Sequence, residues 1–403
     1  MRILHTSDWH LGQHFIGKTR QAEHQAFCAW LIDQVREHAV DALLIAGDVF
    51  DTGAPPSYAR EQYNRFIVEL RASGCELVVL GGNHDSVAML GESKTLLAQL
   101  GSRVIPGVCA SMEEQVLVLH KRDGAPGAIL CAIPFIRPRD VLQSQAGQSA
   151  EDKQLSLQQA IQQHYLELFA LAEAKRDQLG GELPIIASGH LTTVGASASD
   201  SVREIYVGSL EAFPTSAFPP AAYIALGHIH RPQKVGGLEH IRYCGSPIAL
   251  SFDEAKQQKE VLLVDLVRSG LSAVTALPVP CFQPLLSLRG TLKELEQAIA
   301  VAAEQGSAER PVWLEVQVAT DDYLSDLQVR VAALCEGLPV EVLRIRRERG
   351  AAALSLSRQT RETLDELSPD DVFARRLAGE ALDDALQERL RALYRDTLAQ
   401  LRD

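Results

Sequence analysis

No stretch of the 403 residues approaches the roughly 18 consecutive apolar residues that a membrane-spanning helix requires, which argues against a helical membrane protein. Lysine and arginine are in deficit, 39 against 52 acidic residues, and the net charge of −13 speaks against a broad surface for coating DNA, because such affinity comes from basic side chains neutralising phosphates. Aromatic residues are only 5%, and none interleaves the basic stretches in the way a platform for stacking single-stranded bases requires. The seven cysteines (Cys28, Cys75, Cys109, Cys131, Cys244, Cys281 and Cys335) include no CxxC pair, so neither a disulfide framework nor a zinc–thiolate site is indicated, and reduced, mostly buried thiols are expected. There is no internal repeat and no low-complexity tract. The opening residues MRILHTSDWHLG place His5 and Asp8 where a secretory signal needs its apolar core, so a cytoplasmic protein is expected.

What is present is an ordinary globular composition, 46% hydrophobic and 23% charged, over a length that suits two to three domains. Through the first 265 or so residues, short apolar runs end repeatedly in polar residues: RILHTSDWH, DALLIAGDVFD, ELVVLGGNHD, AILCAIPF, PIIASGH, YIALGHIH, HIRYCGSP and EVLLVDL. Such runs, rich in Ile, Val and Leu and bounded by Gly or Pro, read as strands buried on both faces. Helical patterns lie between them, over Glu23 to His38, Tyr58 to Ala72, Ser93 to Leu100 and from about Ala150 to Gln178, which gives the alternation of a layered α/β sandwich. The stretch from Gly107 to Asp123 supports no assignment.

From Pro278 three strand-like runs (PLLSLRG, PVWLEVQV, VEVLRIRR) flank two helical ones (Leu292 to Gln305 and Asp326 to Glu336), the first opened by a capping box at Thr291 and Glu294. The expected organisation is an α/β domain over 1–277, a small β-α-β-α-β unit over 278–349, an Ala- and Ser-rich linker over 350–357 and a helical segment over 358–403. In that last segment Leu382, Leu386, Leu390 and Leu393 form a narrow apolar stripe on a charged helix. Phe373 and Leu377 form a shorter patch after Ser368-Pro369. Two amphipathic helices need a cover, either the preceding domain or a partner.

Five polar clusters close predicted strands: Asp8-x-His10, Gly47-Asp48, Gly82-Asn83-His84-Asp85, Gly189-His190 and Gly227-His228-x-His230. The carboxyl edge of an open α/β sheet is where ligands bind, so these residues converge on one site. Any one cluster alone is more often a turn than a ligand; five in this order are hard to obtain by accident. The donors are Asp, Asn and His without Cys, a set suited to Mn²⁺, Fe²⁺ or Zn²⁺ in an open catalytic site. His5 reads as core, and His14, His24, His38, His120, His164 and His240 as residues of surfaces or helices.

The order of clusters resembles the calcineurin-like metallophosphoesterases, and SDWHLG, GDVFDTG, GGNHDS, SGHLT, LGHIHRPQ and YCGSP followed by SFDE are similar to the nuclease subunits of the double-strand-break repair complexes. The resemblance covers nearly the whole chain. It implies a four-layer α/β/β/α sandwich carrying a small DNA-binding capping domain and a C-terminal helical partner-binding segment. It further implies two Mn²⁺ ions (Mg²⁺, Fe²⁺ or Zn²⁺ as alternatives), one held by Asp8, His10, Asp48 and His230 and the other by Asp48, Asn83, His190 and His228. His84 then acts on the phosphate or the leaving oxygen, with Asp51 or Asp85 as its orienting partner or, equally, as a turn cap. The implied activity is 3′→5′ exonuclease on double-stranded DNA ends and endonuclease on hairpins and single strands. Implied partners are an SMC-like ATPase in a heterotetramer and a second copy of the chain. The dimer contact would lie near Tyr58, Tyr63, Phe66, Ile67 and Leu70 and near Leu96, Leu97 and Leu100, unless those faces pack on their own sheet. Arg137, Arg139 and Arg231 are candidates for substrate phosphate. The run Arg344, Arg346, Arg347 and Arg349 is either a further one or a solvated face. Two rivals stand beside this reading: a phosphatase or cyclic-nucleotide phosphodiesterase, which has no need of the C-terminal additions, and a non-catalytic interaction protein, which would have lost ligands.

Overall fold

The computed structural model describes residues 1–142, 150–199, 201–202, 205, 212–319, 326–347, 377 and 384–400. Among these, two six-stranded sheets face each other. The first has the order Gly270–Pro278, Glu260–Val267, Arg2–Thr6, Ala42–Ala46, Glu76–Leu80 and Ser102–Ile105, its last four strands parallel and its first two antiparallel. The second has the order Gln233–Val235, Leu238–Tyr243, Tyr223–Gly227, Ile185–His190, Pro126–Cys131 and Val116–His120, four parallel strands between two antiparallel edges. The edge strand Val116–His120 falls in the stretch the sequence left unassigned: its side chains are mostly half-buried, and the periodic signal of a core strand is correspondingly weak.

Strand periodicity decides the layering. Leu4, Leu43, Ile45, Leu77 and Val79 face outward onto Phe27, Leu31, Phe66 and Leu70 of the helices Gln21–Glu37 and Ser57–Arg71. Ile3, Leu44, Val78 and Leu80 face inward and meet Leu130, Ile186, Tyr223 and Ala225 of the second sheet. That sheet turns Ile129, Cys131, Ala187 and Leu226 outward onto Leu157, Ile161, Tyr165 and Leu168 of the long helix Ala150–Gln178. The result is the four-layer α/β/β/α sandwich. His5 is fully buried beside this interface, bonded through Nδ1 to the Tyr223 hydroxyl at 2.9 Å, and burial lowers its pKa to about 3, so it is neutral core.

Helix faces that the sequence offered for self-association are spent internally. Tyr63, Phe66, Ile67 and Leu70 are buried against the first sheet, and Leu97 with them; Val68 and Leu96 are the large apolar side chains these two helices expose. His24 and His164 do lie on helices but are buried, His24 holding the Trp9 carbonyl at 2.8 Å.

The parallel strands Leu285–Gly290, Val312–Val318 and Val340–Arg347 form the small sheet, crossed by helices Leu292–Ala303 and Leu327–Leu334 and closed over its own apolar cluster. The capping box at Thr291 and Glu294 is formed in both directions. This unit rests on the sandwich through Phe15, Phe252, Leu285 and Trp313, and the guanidinium of buried Arg20 lies over both the Phe15 and Trp313 rings. Arg344 and Arg346 both pair with the buried carboxylate of Glu315, at 2.6 and 3.2 Å. Arg349, Phe373 and Leu382, like the proposed linker, lie outside the described residues. Leu377 is buried, and Leu386, Leu390 and Leu393 sit on the helix Asp384–Gln400. No helix among the described residues is long and apolar enough to cross a membrane.

Because the two sheets carry the site between them, the inter-sheet core should tolerate truncation poorly. Leu44→Ala should cost about 2–5 kcal/mol in urea unfolding; a loss well under 1 kcal/mol would mean that the sheets are not tightly packed there.

Candidate metal centre

All five polar clusters arrive at one edge of the sandwich. Asp8 and His10 follow Arg2–Thr6, Asp48 follows Ala42–Ala46 and Asn83 and His84 follow Glu76–Leu80 in the first sheet. His190 closes Ile185–His190 and His228 and His230 follow Tyr223–Gly227 in the second. The chain must turn out of each strand at once, and Asp8, His10, Asp48 and His228 do so with φ of 53°, 48°, 49° and 92°. Left-handed backbone at non-glycine residues is held against local strain and concentrates at functional sites. Gly82 meets a different demand: a Cβ there would lie 2.1 Å from Asp48 Oδ1.

Asp48 lies at the centre and is buried. Its Oδ1 accepts the His84 backbone N–H at 2.8 Å, while Oδ2 lies 3.2 Å from His190 Nε2 and 3.7 Å from His10 Nε2. Asn83 Oδ1 is 2.9 Å from His190 Nε2 and 3.1 Å from His228 Nδ1. Donor atoms of Asp8, His10 and His230 lie within 4.8 Å of one another, as do those of Asp48, His190 and His228, and those of His10, Asp48 and His84. Each of the first two groups brings together three of the four residues of one set implied by the sequence, without Asp48 in the first and Asn83 in the second; the third places His84 beside them.

Partners behind these side chains orient them. His190 Nδ1 is fixed by the Ala46 carbonyl at 2.9 Å, and His10 Nδ1 by Asp51 Oδ1 at 3.1 Å. His84 Nδ1 is held by the backbone carbonyl of Asp51 at 2.7 Å. Asp51 therefore serves both rings, one through its side chain and one through its main chain. Asp85 instead accepts the backbone N–H groups of Gly82, Val49 and Phe50 at 2.8–3.1 Å, which is the turn-capping role, and burial raises its carboxyl to about 6. Sequence spacing put Asp51 and Asp85 on equal terms because it carries no information on which atom faces which ring.

Electrostatics divide the histidines. Burial opposes a charge on His190, but the Asp48 carboxylate and its hydrogen bond outweigh it and raise the imidazole to about 9. Burial and the neighbouring His190 charge push His228 well below its usual value. Asp48 is held well below the carboxylate range, burial being overcome by His190, His10 and His84. The Nε2 atoms of His10 and His228 are buried without a hydrogen-bond partner, and an orphaned lone pair in an Asp/Asn/His cluster fits a divalent cation.

Arg137 stands beside the Gly82–Asp85 turn, its Nη2 on the Asp85 carbonyl at 3.0 Å and its guanidinium over the Phe135 ring, whose edge faces His190. Arg139 and Arg231 are exposed. Residues that the sequence reading left without a role are Ser7, bonded to Asp8 Oδ2 at 2.6 Å, and Glu254, bonded to His230 Nδ1 at 3.2 Å; SFDE marked the position of Glu254 but not its contact.

The calcineurin-like phosphoesterase family model matches residues 1–232, and a model described as the type 5 capsule protein repressor C-terminal domain matches residues 281–381. The chain is 54% identical to the SbcD subunit of the nuclease SbcCD from Escherichia coli K12, over 99% of this chain and 98% of that one. The chain belongs to the SbcD family. Members from Rhodobacter capsulatus and Bacillus subtilis are 35% and 28% identical, over 85% and 81% of this chain and 86% and 81% of theirs. As an SbcD family member with a calcineurin-like phosphoesterase domain, the chain has a fold that implies divalent-metal binding.

The protonated His190 and ionised Asp48 stabilise the metal-free fold fully below the ordinary histidine value of 6.5, and this contribution is lost as the pH rises through about 9. A cation held by His190 would have to displace the same proton. Apparent affinity for a divalent cation should therefore rise with pH up to about 9, by about tenfold per unit for one released proton. Calorimetric titration in buffers of different ionisation heat measures both affinity and proton release; a flat profile would show that His190 is not displaced.

Proposed function

We propose that this chain is a Mn²⁺-dependent DNA nuclease, a 3′→5′ exonuclease on double-stranded ends and an endonuclease on single strands and hairpins, serving end processing, repair and recombination. The observation that carries this reading is the meeting of seven Asp, Asn and His side chains with His84 at one sheet edge, in a chain 54% identical to a protein named as a nuclease. One cation would be held by Asp8, His10, Asp48 and His230, the other by Asp48, Asn83, His190 and His228, with Asp48 shared. When bound, such a pair supplies Lewis acidity toward a phosphodiester and activation of water at neutral pH.

The chain's own residues do the rest. His84, with Nδ1–H on the Asp51 carbonyl, is fixed in ring orientation; when protonated it offers its other nitrogen's proton to the departing 3′ oxygen. Asp85 and Arg137 hold the turn that presents it. Arg137, Arg139 and Arg231 are proposed to receive substrate phosphates.

An SbcC-type SMC-like ATPase is the proposed partner, stimulating cleavage through its ATP cycle and supplying the basic surface that a net charge of −13 leaves wanting. It would dock on the helical segment 358–403 through Phe373, Leu382, Leu386, Leu390 and Leu393, whereas Leu377, also expected there, is buried within the chain. Residues 278–349 would cap the 1–277 nuclease domain, and two chains would meet over exposed Val68 and Leu96 in a cytoplasmic heterotetramer.

Asp48→Ala should abolish binding of both cations together with activity, because one carboxylate serves both. Calorimetry with Mn²⁺ checks this, and retention of two full-affinity sites would refute the shared ligand. His84→Gln should keep two bound Mn²⁺ while cleavage of a labelled DNA hairpin falls about 10²–10⁴-fold. Loss of a metal in that variant would make His84 a ligand.

A further inference from the structure

Glu254 closes the short turn Phe252–Glu254 and is fully buried. Its Oε1 accepts from Ser199 Oγ at 2.7 Å, from His230 Nδ1 at 3.2 Å and from Ser201 Oγ, which itself lies 2.6 Å from His230 Nδ1. Its Oε2 accepts from Lys259 Nζ at 2.6 Å, the Leu250 backbone N–H at 3.0 Å and Ser246 Oγ at 3.2 Å. Lys259, also buried, donates to the His230 carbonyl at 3.0 Å and to Ser246 Oγ at 2.9 Å. The ion pair thus grips His230 at both its ring and its main chain. Burying two charges is costly, and packing alone would not require it at a histidine that merely filled space. At the other end of the turn, Phe252 packs on Phe15 and under the Arg344 guanidinium, so the segment carrying Glu254 is anchored on the small sheet.

We propose that Glu254, held in place by Lys259, is a positioning residue for His230. By accepting Nδ1–H, directly and through the Ser201 hydroxyl that bonds to both, it fixes the tautomer and turns Nε2 toward Asp8 and His10, so a carboxylate that does not touch the cation sets the affinity of that half of the site. The Nδ1 of His10 has a carboxylate partner too, Asp51 at 3.1 Å, but that side chain is one quarter exposed where Glu254 is fully buried. The inference rests on the reading of His230 as a metal ligand.

The test is calorimetric titration of the metal-stripped full chain with Mn²⁺. Wild type should show two sites. The double variant Glu254→Met with Lys259→Met removes both charges and leaves no unpaired ion; one site should weaken by about 10–100-fold while the other is unchanged. Glu254→Gln keeps an acceptor for Nδ1–H, so it should recover part of that affinity, and it carries the test alone if the double variant does not fold. Unchanged affinity at both sites in a folded variant overturns the inference, as does equal weakening of both, which marks a merely structural role. A wild-type chain that binds no Mn²⁺ overturns the ligand assignment itself, and this inference with it.

Discussion

The Asp48 carboxylate is ionised, buried and shared between two sheets, and the rest of the centre is arranged around that fact. A buried charge costs several kcal/mol unless partners compensate it. Here the compensation comes from the His84 backbone N–H on one oxygen and from imidazoles on the other, His10 from the same sheet and His190 from the opposite one. The His84 N–H and His190 come within hydrogen-bonding reach while His10 stands 3.7 Å away, and this crowding is why Gly82 cannot carry a Cβ and why His190 Nδ1 is pinned to the Ala46 carbonyl. The inter-sheet core of Leu44, Leu130, Ile186 and Ala225 is therefore more than ballast: it fixes the spacing at which a carboxylate on one sheet meets a histidine on the other.

The same logic explains the backbone. Asp8, His10, Asp48 and His228 leave their strands in left-handed conformations, which are tolerated only because the strands behind them are paired on both sides and their N–H groups remain satisfied, Asp8 by the Gly47 carbonyl at 3.0 Å and His10 by the Asp48 carbonyl at 3.1 Å. Rigid strands thus deliver side chains into a preset cluster without a folding cost at the moment of binding. Partners behind the histidines, Asp51, Ala46 and Glu254, then settle which ring nitrogen faces inward.

Much of this was legible in the residue order. Apolar runs ending in Gly-Asp or Gly-His announced both the strands and the edge at which they end, and the continuity of those runs announced layers on either side. Legibility failed where the signal is weak or non-local. The half-buried edge strand Val116–His120 has no clean alternation. The helix Ser57–Arg71 looked rich enough in apolar side chains to serve a partner, yet Tyr63, Phe66, Ile67 and Leu70 all point into its own sheet, since a helix over a sheet centre needs a wide apolar face. Arg344 and Arg346 left open a phosphate site or a solvated face, and only the fold sets Glu315, on the neighbouring strand, against both guanidinium groups.

By itself, then, the sequence determined the α/β layering, the five turns that carry the polar residues and the chemical character of the donors, because each depends on neighbours within a few positions. Tertiary structure alone decided which oxygen of Asp48 faces which histidine, that Asp51 rather than Asp85 orients His84, and that Glu254 stands behind His230. These pairings join residues tens to hundreds of positions apart, and their energies turn on a few tenths of an ångström and on exclusion of water. Neither quantity exists until the two sheets have closed on each other.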